Sequence, residues 1–172
     1  VFNLVSNSLL FGFDIFCIFN FIKSSIISFK KLSEYEFFKS PIAELIPNVN
    51  VYSYDVNTPL FSDYASKKRF VFLPKDSQME FSQIENTLLF ETGSILIKNF
   101  YYPISKNEER IIETRLLIKE KEGWKPLNYI WNTEQTDASL NYIGADIEVE
   151  WMNSHEEIQK VNYSVPNQNQ CK

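Results

Sequence analysis

A chain of 172 residues has room for one ordinary domain with its own core. Hydrophobic residues at 44% and charged residues at 23% match an average globular protein, which excludes a disordered chain or one made of many membrane spans. The net charge of -5 excludes a phosphate-binding face, so nucleic acid is not an expected partner.

Aromatic residues make up 16% of the chain, with 15 Phe and 9 Tyr, and such rings pack well on a pleated surface. The first 31 residues differ from the rest. Leu9 to Ile22 is nearly all apolar, broken by Asp14 and Asn20, and is followed by Ser24, Ser25 and the basic pair Lys30 and Lys31. It is too short for a comfortable membrane span and suits the apolar region of a signal peptide or anchor, with a buried core helix as the alternative. Membrane contact is expected only through this leader. Cys17 within it would carry lipid in an exported lipoprotein, although the preceding Ile15 and Phe16 are large where small residues are needed.

The folded domain is expected over 32–166. Ser33 and Glu36 have capping-box spacing beside Leu32 and Phe37, predicting a short helix over Glu34 to Phe38. Pro41 and Pro47 stop further helix, and from Val49 the pattern turns to period two. Strands are predicted at Val51 to Tyr54, Arg69 to Leu73, Met79 to Ser82, Ser94 to Tyr102, Arg110 to Lys119, Trp124 to Trp131, Asp146 to Trp151 and Gln159 to Ser164. The fold class is therefore mainly β, an antiparallel β-sandwich-like domain with a short N-terminal helix.

Within the sixth and fifth of these, a hairpin joins Arg110 to Trp131, turning near Glu122-Gly123. Ile112, Thr114, Leu116 and Ile118 are expected on one face, with Ile111, Glu113, Arg115 and Leu117 on the other. Ile147, Val149 and Trp151 should point inward, leaving Glu148 and Glu150 wet.

Few residues suggest chemistry. Asp63 and Tyr64, followed by Lys67, Lys68 and Arg69, form either a polar site or a solvated turn with local ion pairs. Glu113 and Arg115 point the same way from one strand, to orient a ligand or to pair with each other. Trp131, Asn132 and Asp137 open a polar stretch just after a strand, which is either a site or a connection whose Asn and Asp bond their own backbone. His155 is the only histidine and sits in a polar stretch, so a zinc site or Cys-His nucleophile would need unusual ligands. A hydrolase would require at least two carboxylates, from among Asp63, Glu91, Glu113 and Asp137, to converge in a pocket, for example Glu113 and Asp137; a carbohydrate- or protein-binding module would place aromatics such as Tyr101, Tyr102, Trp124 and Trp131 on one concave face. No enzyme class follows from the pattern.

The remaining motif is terminal. Covalent haem attachment needs two thiols spaced by two residues and a histidine directly after them. Gln170-Cys171-Lys172 supplies the first thiol and one spacer. Two cysteines this far apart give no disulfide framework.

The strings KLSEYEFF, NTPLFSDYASKKRFVFLP, GSILIKNFYYP, RIIETRLLIKEKEGW, YIWNTEQTDA and VNYSVPNQNQCK, running from Lys31 to the end, resemble a largely uncharacterised bacterial family of exported di-haem c-type cytochromes. The resemblance implies that the last string continues into Cys-x-x-Cys-His, that Cys171 is the first attachment cysteine, and that 167–172 begins a haem segment cut short here. It further implies haem c in the intact protein and not in this fragment, a location in the bacterial cell envelope, one-electron transfer with an unspecified redox partner protein, and a parallel β-helix envelope protein as a candidate partner.

Overall fold

The computed structural model describes residues 28–170. Leader residues 1–27, with Cys17, and the terminal Cys171 lie outside them. Ten strands are present: β1 (Val51–Tyr54), β2 (Ser66–Phe72), β3 (Met79–Ser82), β4 (Thr87–Phe90), β5 (Ile95–Ser105), β6 (Glu108–Glu120), β7 (Gly123–Trp131), β8 (Ala138–Asn141), β9 (Ala145–Met152) and β10 (Ile158–Val165). Every pairing is antiparallel. The central sheet runs β1-β2-β5-β6-β7-β8, while β9-β10 and β3-β4 form separate two-stranded ribbons.

All eight expected strands occur. Two further four-residue strands, β4 and β8, have no counterpart in the expected set; each pairs on one side only. The expected N-terminal helix is instead a single 3-10 turn, Leu32–Tyr35. The Lys31 N–H donates to Glu34 Oε1 at 2.7 Å. Glu36, expected inside the helix, takes a left-handed φ of 54° and ends the turn. Ser33 cannot cap because its hydroxyl and N–H are drawn to Asp137, at 2.7 and 3.1 Å.

One face of the sheet is covered by the irregular chain before β1. Leu32, Phe37, Phe38 and Leu45 pack there against Phe70, Ile97, Leu116, Ile118, Leu127 and Tyr129. Full burial of each such aliphatic side chain contributes about 1.5–3 kcal/mol. A polar thread crosses this core: Trp131 Nε1 donates to Thr114 Oγ1 at 2.8 Å, and that hydroxyl donates to Asn99 Oδ1 at 2.6 Å. Each buried polar atom of the thread thus has a partner.

The other face is partly covered by the β9-β10 ribbon, through Val149, Tyr163 and Val165 against Phe100, Tyr102 and Ile112. Along β9 the expected alternation holds, with Val149 buried and Glu148 and Glu150 exposed. The hairpin turn also falls as expected, with Glu120 opposite Gly123.

The facing of β6 needs a correction. Phe100 pairs with Glu113 but Tyr101 pairs with Ile111, so Ile112 is an extra residue opposite the next step of β5. This bulge moves Ile111 to the face of Leu116 and Ile118, and Ile112 to the face of Phe100 and Tyr163. Strict alternation fails at that one step.

Candidate functional site

The ribbon-side face is ordered in cross-strand rows. Lys67, Phe100, Glu113 and Ile130 make the first row, across β2, β5, β6 and β7. Two residues along each strand, Arg69, Lys98, Arg115 and Asn128 make the second. The third is Val71, Leu96, Leu117 and Pro126. The ribbon covers the first row, so the second is its charged border and the third opens as an apolar trough.

Glu113 is the deepest charged group, with a fully buried side chain. Arg115 Nε donates to its Oε1 at 2.6 Å and Nη2 to its Oε2 at 3.0 Å, while the Tyr163 hydroxyl donates to Oε2 at 2.7 Å. A bidentate guanidinium and a phenol satisfy the carboxylate as burial requires. Burial, and then the Glu113 charge, raise the Tyr163 phenol above its ordinary range, so it stays a donor. Arg115 also stacks on Phe100, its Cζ 4.4 Å from the ring centroid. Buried Arg69 reaches exposed Asp55 at 2.9 Å.

The trough, about 840 Å3 in volume, is lined by Leu88, Phe90, Leu96, Leu117, Trp124 and Pro126 together with Gln168 and Asn169. Phe90 meets Trp124 edge to face with centroids 5.4 Å apart. The chain leaving β10 is fastened beside it. Asn128 Nδ2 donates to the Pro166 carbonyl at 2.6 Å, and Gln168 N–H to the Tyr142 carbonyl at 3.0 Å. Gly144, at φ 81°, lets the chain pass, since a Cβ there would stand 2.7 Å from the Val165 carbonyl oxygen.

No family model, curated protein or solved structure matches this chain.

Glu113 and Arg115 meet as their spacing suggested, and form the centre of this face. The other expected site residues are placed elsewhere. Asp63 and Tyr64 both adopt left-handed φ, 46° and 64°, in the loop before β2. The Asp63 carbonyl accepts from the Tyr102 hydroxyl, and exposed Tyr64 stacks on Trp151 at 5.5 Å, so this loop is clamped to the ribbon. Trp131 is buried on the opposite face. Asn132 Oδ1 accepts from the N–H groups of Thr136 and Asp137, at 2.9 and 3.3 Å, which makes it the organiser of a turn. Asp137 holds Ser33. Glu113 and Asp137 therefore engage different partners and do not converge.

The aromatic platform does not form either. Tyr102 is buried against the ribbon, Trp131 is buried and Tyr101 half-buried on the other face, and Trp124 is exposed at 37% beside the trough. Among the described residues no cluster of His, Cys, Asp or Glu could hold a metal ion. His155 lies in the exposed turn between β9 and β10. The eight residues of β10 lie between it and the chain that lines the trough. The trough thus offers an apolar wall with no histidine among its lining residues.

The sequence pattern singles out Trp124 but not Lys98, Phe100, Tyr163 or the other trough residues. The period-two cations Lys67, Arg69, Lys98 and Arg115 are visible in the sequence, yet only the strand order β2-β5-β6 brings them side by side.

Proposed function

We propose that this β domain is the N-terminal part of an exported c-type cytochrome, and that its ribbon-side face seats the haem-bearing segment that starts at Cys171. The observation that carries the reading is the fastening of residues 166–170 along the trough. Pro166 and Gln168 are tied to β7 and to the chain after β8, and Gln168 and Asn169 already line the apolar wall. Cys171 follows directly in the sequence.

Bound haem supplies a one-electron couple. The chain's own residues would exclude water from one side of it through Leu96, Leu117, Trp124 and Pro126, and place positive charge nearby through Lys98 and Arg115. A low-dielectric wall and fixed charge are two means by which a protein sets such a couple. The iron ligands would come from the haem-bearing segment. A cell-envelope location, where c-type haem is attached, and docking on a redox partner or a β-helix protein belong to the same proposal.

The reading requires a spacer, a cysteine and a histidine after Lys172 in the reading frame. The protein expressed with that continuation and the c-type maturation machinery should carry covalent haem absorbance that survives denaturation and weakens on Cys171→Ala. Absence of covalent haem in the unsubstituted protein would overturn it.

A further inference from the structure

The four residues after Pro166 close on one another through a reciprocal exchange. Asn167 Oδ1 accepts from the N–H groups of Asn169 and Gln170, at 3.0 and 3.1 Å, and Gln170 Oε1 accepts from the Asn167 N–H at 3.0 Å. The Gln170 N–H also points at the Asn167 carbonyl, 3.0 Å away. The next amide, that of Gln168, donates to the Tyr142 carbonyl. A helix leaves its first four N–H groups without partners inside it, and a capping box satisfies them with an Asn side chain and a Gln three residues on. Asn167 and Gln170 make that box, and the N–H groups of Gln168, Asn169 and Gln170 are all satisfied.

The turns at Asn132 and Asn153 also use an asparagine side chain, but they differ at one atom. The Asn132 N–H donates to the Asp137 carbonyl and the Asn153 N–H to the Glu157 carbonyl, across turns that lead straight back into β8 and β10. At Asn167 the Gln170 side chain takes that N–H instead, so the backbone bond that registers a returning strand is replaced by one that starts a helix.

A short helix is marginal in water unless one face is buried. Burial is at hand here. Gln168 and Asn169, the first two residues of the turn, line the trough of Leu88, Leu96, Leu117, Trp124 and Pro126, and Asn128 fixes the entry by holding the Pro166 carbonyl. The trough is open, with Leu88 50% and Trp124 37% exposed. We propose that Asn167 is the N-cap of a helix that runs on through Cys171 and seats one face in this trough, the way an amphipathic helix fills an apolar groove. Residues three and four apart share a helix face, so Cys171 and Lys172 follow Gln168 onto the trough side, where the lysine stem lies on apolar surface and its ammonium reaches the rim. This deepens the function proposed above and rests on it only for a segment beyond Lys172, which need not carry haem.

The test is NMR of the chain carrying its natural continuation, prepared without haem, with the 172-residue chain as reference. Residues from Gln168 into the continuation should show helical carbon shifts, and NOEs should join them to the Leu96 and Leu117 methyl groups and the Trp124 indole. Asn167→Ala should quicken hydrogen exchange of the helix amides about fivefold, the usual effect of losing a cap. Gln170→Ala should act in the same direction, and Asn167→Asp should keep the protection. Thermal melting checks that the β domain of each variant is folded. Extended or coil shifts after Gln170, no NOE to the trough, or exchange unchanged in both alanine variants would each overturn the proposal. A docked helix in a continuation lacking the second cysteine and the histidine upholds it while the haem reading falls; covalent haem on a segment without helical shifts does the reverse.

Discussion

Replacing Arg115 with methionine removes two charge-assisted bonds from Glu113 while keeping alkyl volume over Phe100. Glu113, fully buried, is left with the Tyr163 hydroxyl at 2.7 Å. Removing one partner of a buried ion pair costs about 3–5 kcal/mol. The expected loss for Arg115→Met is thus about 3–5 kcal/mol. Urea unfolding, followed by tryptophan fluorescence and compared with the unsubstituted chain, measures it. The double variant Glu113→Leu, Arg115→Met should recover most of the loss, since no charge is then stranded. A cost below about 1 kcal/mol for Arg115→Met, or no recovery in the double variant, would refute the buried-pair account.

Other outcomes follow from the same geometry. Burial raises the phenols of Tyr102, Tyr129 and Tyr163; because the folded state holds these protons more tightly, stability should be intact below about pH 10 and fall above it. Phenolate absorbance should accordingly show one class of tyrosines appearing only with alkaline unfolding, and smooth titration of all nine in a folded chain would contradict it. Gly144→Ala should cost about 1–3 kcal/mol and increase proteolytic nicking within 166–170, because the left-handed backbone and the close Val165 carbonyl leave no room for a methyl group. Trp131→Phe should lower stability by about 1–3 kcal/mol in urea unfolding, by leaving the buried Thr114 hydroxyl without its indole donor.

What could be read from the sequence was what local pattern controls. Alternation placed Val149 and Trp151 correctly, and Glu113 with Arg115, because period two is enforced by the pleat itself. Ile111 and Ile112 were misplaced because a bulge depends on the register of β5, which β6 does not encode. Ser33 reads as a helix cap until Asp137, over a hundred residues later in sequence, takes its hydrogen bonds. The Asn132 to Asp137 stretch reads as a site or as a turn; its turn is organised in part by Gln135, which bonds the backbone of Ile111 at 2.8 and 3.0 Å, a long-range contact that no spacing rule anticipates. The cation row was the least legible of all. Its members lie on three segments, and their proximity is a property of strand order alone.

The fastening at Pro166 also has a mechanical meaning. The β9-β10 ribbon makes no backbone ladder with the central sheet and is held by side chains such as Tyr163 and Val149. A pull from the C-terminal side would peel such a ribbon strand end first, were it not met by Asn128 at Pro166 and by the Tyr142 carbonyl at Gln168. These contacts act as a strain relief, loading β7, one strand in from the sheet edge, before any force reaches the Tyr163–Glu113 bond.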